Sequence, residues 1–171
     1  ISQKDFIELV DHIKPHLKKA IMKSPYGCPS YYEVFLTLAF LYFKKKNCNY
    51  IVLEAGLGGA YDATNVVKNT KLALITNVGY DHMDVLGNTL SLIAKDKSGI
   101  IKKNSTFITT ETRPKLLEIF KKKCAKMGAK YIFLKPEDGN SNKILAHGAA
   151  AALGIKEKVI KKEIGRASCR E

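Results

Sequence analysis

Tryptophan is absent from this 171-residue sequence, and arginine is scarce. Lysine and arginine together number 29, and all but three of them are lysines. No apolar run approaches the roughly 18 residues that a membrane-spanning helix needs, so no membrane segment is expected. The four cysteines form no CxxC pair and match no zinc-site spacing, which favours reduced thiols.

The formal net charge is +13. A basic balance of this size indicates acidic partners such as nucleotides or polyanionic substrates. Dispersed lysines also serve simply as a solvated surface, and only FKKK at 43–46 and FKKKCAK at 120–126 cluster. No nucleic-acid motif accompanies them, so nucleic acid is not an expected partner. A non-catalytic basic binding module remains an alternative.

The two ends of the sequence differ from its body. It opens on ISQKDFIELV without methionine, and it closes on IGRASCRE, which holds two of the three arginines. We expect residues 1–163 to be an internal part of a longer protein. Residues 164–171 resemble a translated sequencing adapter, and we interpret them as a non-native tail.

The first third of the sequence predicts helices. Apolar residues recur at helical spacing over 4–21, with Pro15 inside the pattern. Ser30 followed by Glu33 has the form of a capping box at the start of a second helix. That helix, YYEVFLTLAFLYFKKK, is apolar nearly all round, which predicts that it is buried.

The rest of the sequence alternates between two kinds of pattern. Apolar, β-branched runs predict four strands, in YIVLEAG, KLALITNVG, STFITT and KYIFLK, and the first of them has the character of a strand buried on both faces. Helical patterns occupy 89–101, 113–127, 142–153 and 156–162. Strands alternating with helices indicate an α/β fold with a mostly parallel sheet flanked by helices.

Two polar residues follow predicted strands. Glu54 ends the first strand, and His82 in GYDHMD follows the second. Because ligands bind beyond the carboxyl ends of parallel strands, both side chains are expected at one crevice. A carboxylate suits a hard cation, whereas histidine favours zinc, manganese or iron, so the pair indicates a metal without naming it. A metal-dependent hydrolase using Glu54, His82 and Asp84 is one interpretation, and plain capping or polar packing roles are another.

The glycines of VLEAGLGGAYDATNVV do not form a phosphate loop. No G-K-[ST] follows Gly56, Gly58 and Gly59, and the third glycine comes too early for the GxGxxG fingerprint. They predict a tight turn and a close approach between backbones instead.

Lys97 falls on the apolar stripe of TLSLIAKDKSGII, a predicted helix capped by Thr89, whereas Lys95 falls off it. A lysine that faces the core is expected to hold a share of neutral amine. Such an amine can act as a base, act as a nucleophile, or be carbamylated by carbon dioxide into an anionic ligand. The alternative is a stem that lies along the protein with its ammonium in water.

Three long segments carry a resemblance to a known family. PSYYEVFLTLAFLYF, VLEAGLGGAYDATNVV and LITNVGYDHMDVLGNTLSLIAKDKSGII resemble, in this order, motifs of the folylpolyglutamate synthase/dihydrofolate synthase family of the Mur ligase superfamily. The resemblance covers most of residues 1–163 and implies a partial central ATPase domain. The family's phosphate-loop strand (G-T-N-G-K-G-S) and carboxy-terminal domain are missing from the sequence. Ala60 stands where many members carry arginine.

The resemblance implies an ATP-dependent ligase that adds L-glutamate to folate through an acyl-phosphate intermediate, and it leaves open a second activity on dihydropteroate. It implies two Mg²⁺ ions and ATP as co-substrate. Glu54 and His82 match the family's magnesium ligands, and Lys97 matches its carbamylated lysine.

The resemblance also implies a pocket for the pterin side of the substrate. The residues that match it lie at the start of the second helix and after the glycine turn: Ser30, Tyr31, Tyr32, Glu33, Tyr61, Asp62 and Ala63. The tyrosines could stack on a flat ring, or pack in the core, and Ser30 and Glu33 could simply cap the helix.

We expect the complete enzyme to be a cytoplasmic monomer and the present chain to be inactive by itself. The runner-up within the superfamily is a Mur-type ligase that acts on a cell-wall precursor. The YDATNV segment argues against it.

Overall fold

The computed structural model describes residues 1–137 and 140–168. The chain divides into two compact units, Ile1–Ala55 and Gly56–Glu171, and each has its own apolar cluster. Within the described ranges, none of the helices has both the length and the apolar character needed to cross a bilayer.

The first unit is a pair of helices, α1 (Gln3–Lys23) and α2 (Tyr31–Lys45). Pro15 lies inside α1 without ending it. The capping box at the start of α2 is confirmed, because the amide of Glu33 donates to Ser30 Oγ and the amide of Ser30 donates to Glu33 Oε2 at 2.7 Å. The hydrogen bonds that Glu33 Oε2 accepts from the amide and the hydroxyl of Ser30 hold the pKa of Glu33 below its usual value.

Apolar packing and ion pairs join α1 to α2. Leu9 and Ile13 of α1 pack with Leu38 of α2. At the other end of α2, Lys45 Nζ lies 2.6 Å from an Asp5 carboxylate oxygen, and this contact, with a second from Lys46, lowers the pKa of Asp5 well below its usual range.

The prediction that α2 is buried is wrong. Leu38 is the one residue of α2 that is fully buried, and several of its aromatic side chains are exposed, among them Tyr31 and Phe35. The apolar composition of the helix is the same on most sides, but within this unit α1 covers only one of its faces.

The predicted strand in YIVLEAG is not formed. Residues 50–55 have no strand structure, and Ile51 and Val52 are exposed. An apolar β-branched run becomes a strand only where its N–H and C=O groups pair with a neighbour. No strand within residues 1–137 or 140–168 pairs with this segment. The expectation of a strand end at Glu54 therefore fails.

The second unit is an α/β structure. Its strands are β1 (Leu72–Ile75), β2 (Thr106–Thr109) and β3 (Lys130–Phe133). Its helices are α3 (Met83–Leu86), α4 (Leu90–Lys97), α5 (Pro114–Met127), α6 (Ser141–Ala152) and α7 (Glu157–Ser168). Short 3₁₀ turns at Ala63–Val66 and Ser98–Ile100 complete it.

The three strands form a parallel sheet in the order β1-β2-β3, in which Leu72 is opposite Thr106 and Thr106 is opposite Lys130. The central strand β2 is buried on both faces, as Phe107, Ile108 and Thr109 show. Phe107 belongs to the main cluster, together with Ile93 and Ala94 of α4 and three residues of α5 that repeat at helical spacing: Leu116, Phe120 and Cys124.

The sequence patterns for this unit are largely confirmed. Three of the four predicted strands are present, and they form the parallel, helix-flanked sheet. Thr89 caps α4 as predicted, by accepting from the amide of Leu92 at 3.2 Å. Helix α7 continues to Ser168, beyond the predicted end at 162. The last part of the proposed tail, 169–171, lies outside the described residues.

Candidate functional site

The glycine turn lies against the end of α4. Gly58 has a φ of +66°, and a Cβ at that position would lie 2.2 Å from Asp96 Oδ1. A Cβ at Gly99 would lie 2.4 Å from Ala60 Cα. The amide of Ala60 donates to the carbonyl oxygen of Asp96 at 3.0 Å. These contacts confirm the predicted close backbone approach, and they identify its partner as the segment that carries Lys97.

Asp62 closes the loop that follows the glycines. Its carboxylate accepts from the amides of Leu57 and Thr64, both at 2.9 Å, and from the Thr64 hydroxyl. Burial alone would raise the pKa of Asp62, but these hydrogen bonds outweigh it and lower the pKa. The side chain is therefore occupied within its own loop. Ala63 begins the 3₁₀ turn that Asp62 caps, and Tyr61 is 95% exposed beside it.

Two further hydrogen bonds extend this loop. Asn65 Nδ2 donates to the carbonyl oxygen of Ala60 at 2.8 Å, and Lys102 Nζ donates to the carbonyl oxygen of Asn65 at 3.1 Å. Burial, with a smaller contribution from the charge of Lys123, lowers the pKa of Lys102. The DATN sequence thus forms a rigid loop held at both ends.

His82 lies after β1, at the residue that precedes α3. Its backbone is left-handed, with a φ of +47° and a ψ of +43°, a conformation that few non-glycine residues adopt. Its amide donates to Asp81 Oδ1 at 2.9 Å, and its Nε2 lies 3.6 Å from Asp81 Oδ2. The imidazole is half-exposed, and Asp84 is exposed one residue into α3.

Lys97 is the last residue of α4 and is half-buried, whereas Lys95 is exposed. This difference agrees with the position of Lys97 on the apolar stripe. The stripe itself is confirmed, since Ile93, Ala94 and Ile101 are fully buried. The carbonyl oxygen of Lys97 would lie 2.8 Å from a Cβ at Gly59, so the glycine turn lies directly on the backbone of this lysine.

The remaining predicted residues belong to the first unit. Glu54 is exposed, and its carbonyl oxygen accepts a long hydrogen bond, 3.5 Å, from Tyr32 Oη. Tyr31 is 77% exposed and its ring centroid lies 4.3 Å from that of Phe35, so core packing, the alternative to a binding role, does not describe it. Ser30 and Glu33 are engaged with each other in the helix cap.

The predicted metal ligands Glu54 and His82 belong to different units of the chain. Within residues 1–137 and 140–168, no three His, Cys, Asp or Glu side chains are close enough together to hold a metal ion. Magnesium usually keeps several waters and takes one or two protein ligands together with substrate phosphates. Exposed Glu54 and half-exposed His82 are compatible with such partial coordination.

Sequence reasoning missed an ion pair whose carboxylate is buried. Glu111 follows β2 and is 2% exposed, and its carboxylate lies 2.6 Å from a guanidinium nitrogen of Arg113. Burial alone would raise the pKa of Glu111, but hydrogen bonds from Arg113 and from the amide of Val78 lower it to about 2. The signal was available, because the rule of strand ends that singled out His82 applies equally to a glutamate after STFITT.

Comparison with known proteins identifies the class to which this fold and these motifs belong. The family described as Mur ligase middle domain matches residues 11–162. The chain belongs to this family.

Within the family, the similar proteins are folate enzymes. A dihydrofolate synthase/folylpolyglutamate synthase of Bacillus subtilis is 38% identical over 132 residues, covering 77% of this chain and 30% of that protein. The crystal structure of folylpolyglutamate synthase from Thermotoga maritima has a TM-score of 0.82 at 26% identity, over 96% of this chain and 45% of that one. A folylpolyglutamate synthase complex with AMPPCP and folate has a TM-score of 0.67 at 28% identity, over 74% and 31%.

These relatives do not favour the cell-wall ligase as an alternative, because they are named for folate substrates. The chain spans less than half the length of each of them, from 30% to 45%. Any statement on the activity of the complete protein is therefore a proposal.

Proposed function

We propose that this chain is part of a folylpolyglutamate synthase, an ATP-dependent ligase that joins L-glutamate to folate. The observation that supports it best is the contact between the glycine turn and the backbone of Lys97. Parts of two of the three family motifs meet there within the second unit. The match to the Mur ligase middle domain family covers residues 11–162 of this chain, and Glu54, His82 and Lys97 lie within that range.

The reaction has two steps. The carboxylate of the folate attacks the γ-phosphorus of ATP, which releases ADP and leaves an acyl phosphate. The amine of glutamate then attacks the acyl carbon, loses a proton, and displaces inorganic phosphate to form the amide. Negative charge gathers on phosphoryl oxygens in both steps, so positioning and electrostatic stabilisation account for most of the catalysis.

We assign Glu54 and His82 to Mg²⁺, in a site for two such ions. When bound, the metal neutralises charge on phosphate oxygens and orients them. The left-handed turn fixes His82, and Asp81 lies beside its imidazole. A carboxylate next to an imidazole can orient the ring.

Lys97 is proposed to act as its carbamate. Formation from the ammonium joins the lysine nitrogen to carbon dioxide and releases two protons, which turns a cation into an anion. Lys97 is half-buried at the end of α4, and the glycine turn lies on its backbone. This contact restricts the position of the Lys97 Cα. A group that supports a metal ion has to be held in a fixed position, so the contact supports the proposed role.

The folate side of the substrate is proposed to contact Tyr31 and Tyr32 on α2 and Tyr61 beside the glycine turn. Tyr31 and Tyr61 are largely exposed, as surfaces that stack on a flat ring must be. Ser30 and Glu33 act through the cap that fixes the start of α2, and Asp62 and Ala63 act through the loop that presents Tyr61. The complete enzyme is proposed to be a cytoplasmic monomer.

The test is a chimera, because the chain contains no G-K-[ST] phosphate loop. Residues 11–162 would replace the matching region of the Bacillus subtilis enzyme, and glutamate-dependent ADP release would be measured with a reduced folate. We expect turnover by the chimera and none by the 171-residue chain alone. A folded chimera that hydrolyses ATP equally well with and without glutamate and folate would contradict the proposal.

Substitutions in the chimera test the individual roles. Glu54→Gln, His82→Gln and Lys97→Arg should each lower kcat by at least about a hundredfold, because each removes a group proposed to hold the ions that stabilise charge on the reacting phosphates. Lys95→Arg is the matched control for Lys97→Arg, since Lys95 lies on the exposed side of α4. Equal effects of the two arginine substitutions would refute the role of Lys97.

A further inference from the structure

Hydrogen bonds from side chains join the segments that follow β1 and β2. Regular strand pairing ends at Ile75 and Thr109. Beyond that point Thr110 Oγ1 donates to the carbonyl oxygen of Thr76 at 2.8 Å. The amide of Val78 donates to Glu111 Oε2 at 2.9 Å. The parallel contact between the two chain segments is thereby continued by side chains after the ladder has stopped.

Glu111 is the centre of this network. Its carboxylate accepts five N–H groups: the amides of Val78, Thr112 and Arg113, at 2.9, 3.0 and 2.9 Å, and two from the Arg113 side chain, at 2.7 and 2.6 Å. The same guanidinium also donates to the carbonyl oxygen of Val78. Both backbone polar groups of Val78 are therefore held by the Glu111–Arg113 pair.

This arrangement is an unusual way to stabilise a loop. Glu111 is 2% exposed and Arg113 is 40% exposed, so the desolvation cost falls mainly on the carboxylate. An ion pair that carries such a cost is weak evidence for a purely stabilising role. The pair instead fixes the geometry of the groups around it. A guanidinium that makes two hydrogen bonds to a carboxylate, and a carboxylate whose oxygens are fully hydrogen-bonded, allow only one arrangement of their partners. The partner that they fix here is the backbone of Val78.

Val78 leads directly to His82. Three residues separate them, and His82 has the left-handed backbone described above. On its far side, the carbonyl oxygen of His82 accepts from the amides of Val85 and Leu86 at 3.0 and 2.8 Å. A left-handed residue that is not glycine costs roughly 1–2 kcal/mol, and it persists only where its surroundings fix it. The fixed points are α3 on one side and Val78 on the other.

We propose that Glu111 and Arg113 are positioning residues that hold the turn carrying His82 in the orientation needed to bind a divalent cation. The inference rests on the proposed function only for the role of His82 as a metal ligand. The pair acts through the backbone of Val78 and makes no contact with the metal. Outer groups that orient a ligand typically change metal affinity by about 10–100-fold when they are removed.

The experiment uses the 171-residue chain, Mn²⁺ alone as the probe, and two NMR readouts. The first is paramagnetic broadening of the His82 ring signals, with His12, His16 and His147 as internal references. The second is amide hydrogen exchange at Val78 and over 82–86. The variants are Glu111→Gln and Arg113→Lys, and the matched control is Glu118→Gln, an exposed carboxylate on α5 that pairs with Lys121 at 3.3 Å.

In the unmodified chain we expect Mn²⁺ to broaden His82 selectively. In both variants the Mn²⁺ concentration that broadens the His82 ring signals should rise by at least about tenfold. Amide hydrogen exchange at Val78 and over 82–86 should become faster. Exchange at Phe120, in the core of α5, should stay slow, which shows that the fold is intact. Glu118→Gln should match the unmodified chain in every readout.

Two outcomes have different meanings. Absence of selective broadening at His82 in the unmodified chain would refute its metal role, and hydrogen exchange would still decide whether the pair holds the turn. Exchange over 82–86 that stays unchanged in a folded Glu111→Gln or Arg113→Lys chain would overturn the positioning inference, whatever Mn²⁺ does. Arg113→Lys keeps the positive charge, so it remains informative where Glu111→Gln fails to fold.

Discussion

The carboxylate of Asp62 accepts a hydrogen bond from the amide of Leu57 at 2.9 Å and so closes the glycine turn from its carboxyl side. The same carboxylate caps the 3₁₀ turn that begins at Ala63. A single side chain therefore ties Leu57 to Thr64 within the loop that follows the glycines. A role for Asp62 in substrate binding would operate through this loop, because its oxygens are already engaged.

Asp62→Asn should loosen the loop. The amide side chain can still accept from Thr64, but its NH₂ group cannot accept from Leu57. We expect a loss of about 1–2 kcal/mol in the free energy of unfolding, measured by urea titration. Asp84→Asn, at an exposed position, is the control and should stay within about 0.5 kcal/mol of the unmodified chain. Equal losses from the two substitutions would contradict the importance of the Leu57 contact.

Gly99→Ala should separate the glycine turn from α4. A Cβ at 99 would lie within 2.7 Å of three atoms of Ala60, two of which belong to the backbone, so no side-chain movement relieves the clash. A loss of roughly 1–3 kcal/mol in unfolding free energy is expected.

Gly79→Ala provides the comparison for Gly99→Ala. Gly79 has open space around the missing Cβ and is not among the residues with a positive φ. Its substitution should therefore leave thermal stability nearly unchanged. A Gly99→Ala chain as stable as the Gly79→Ala chain would show that the close approach to Ala60 can be released without cost.

Ser30→Ala should weaken the start of α2. The substitution removes the oxygen that accepts from the amide of Glu33 and the hydroxyl that donates to its carboxylate. A helix cap of this type is worth about 1 kcal/mol, and the loss should be visible in thermal unfolding followed by circular dichroism. Ser141→Ala, at the first residue of α6, alters no side-chain cap of that helix and should change stability much less.

Acid should destabilise the second unit through Glu111. Its pKa in the folded chain is about 2, against an ordinary value of 4.5. Because the folded value is depressed, the stabilisation is complete above about pH 5 and disappears as the pH falls from there toward 2. The stabilisation lost through Glu111 is about 3 kcal/mol.

Unfolding free energy measured between pH 6 and pH 2 tests this dependence. Glu111→Gln has no carboxylate to titrate, so its curve should be flatter over the same range, starting from a lower value at pH 6. Glu118→Gln should retain the full slope. A Glu111→Gln chain that loses stability as steeply as the unmodified chain would assign the acid sensitivity to other carboxylates.

The sequence was a good guide where local chemistry decides the structure. Alternation of apolar runs with helical patterns predicted β1, β2 and β3, and the capping residues Ser30 and Thr89 marked helix starts correctly. The stripe of α4 also predicted which of Lys95 and Lys97 is the more buried. Each of these features depends on residues that are close together in the sequence.

Prediction failed where distant partners decide. The run before Glu54 has the composition of a buried strand, but strand formation requires a neighbouring backbone, and none within the described part of the chain pairs with it. Helix α2 is apolar on most sides, yet composition does not say which faces are covered. The strand-end rule could have singled out Glu111, but not its partner, because Val78 lies 33 positions away and only the parallel pairing of β1 with β2 brings the two together.

The contact between Gly99 and Ala60 also determines which of the two positions can change in related sequences. The space beside Gly99 is filled by the nitrogen and Cα of Ala60 as well as by its side chain. Those two atoms are present whatever residue occupies position 60. Position 60 is thus free to carry alanine here and a larger side chain elsewhere, provided that the new group points away from α4. Position 99 has no such freedom, and glycine should recur there even where the neighbouring motif has diverged.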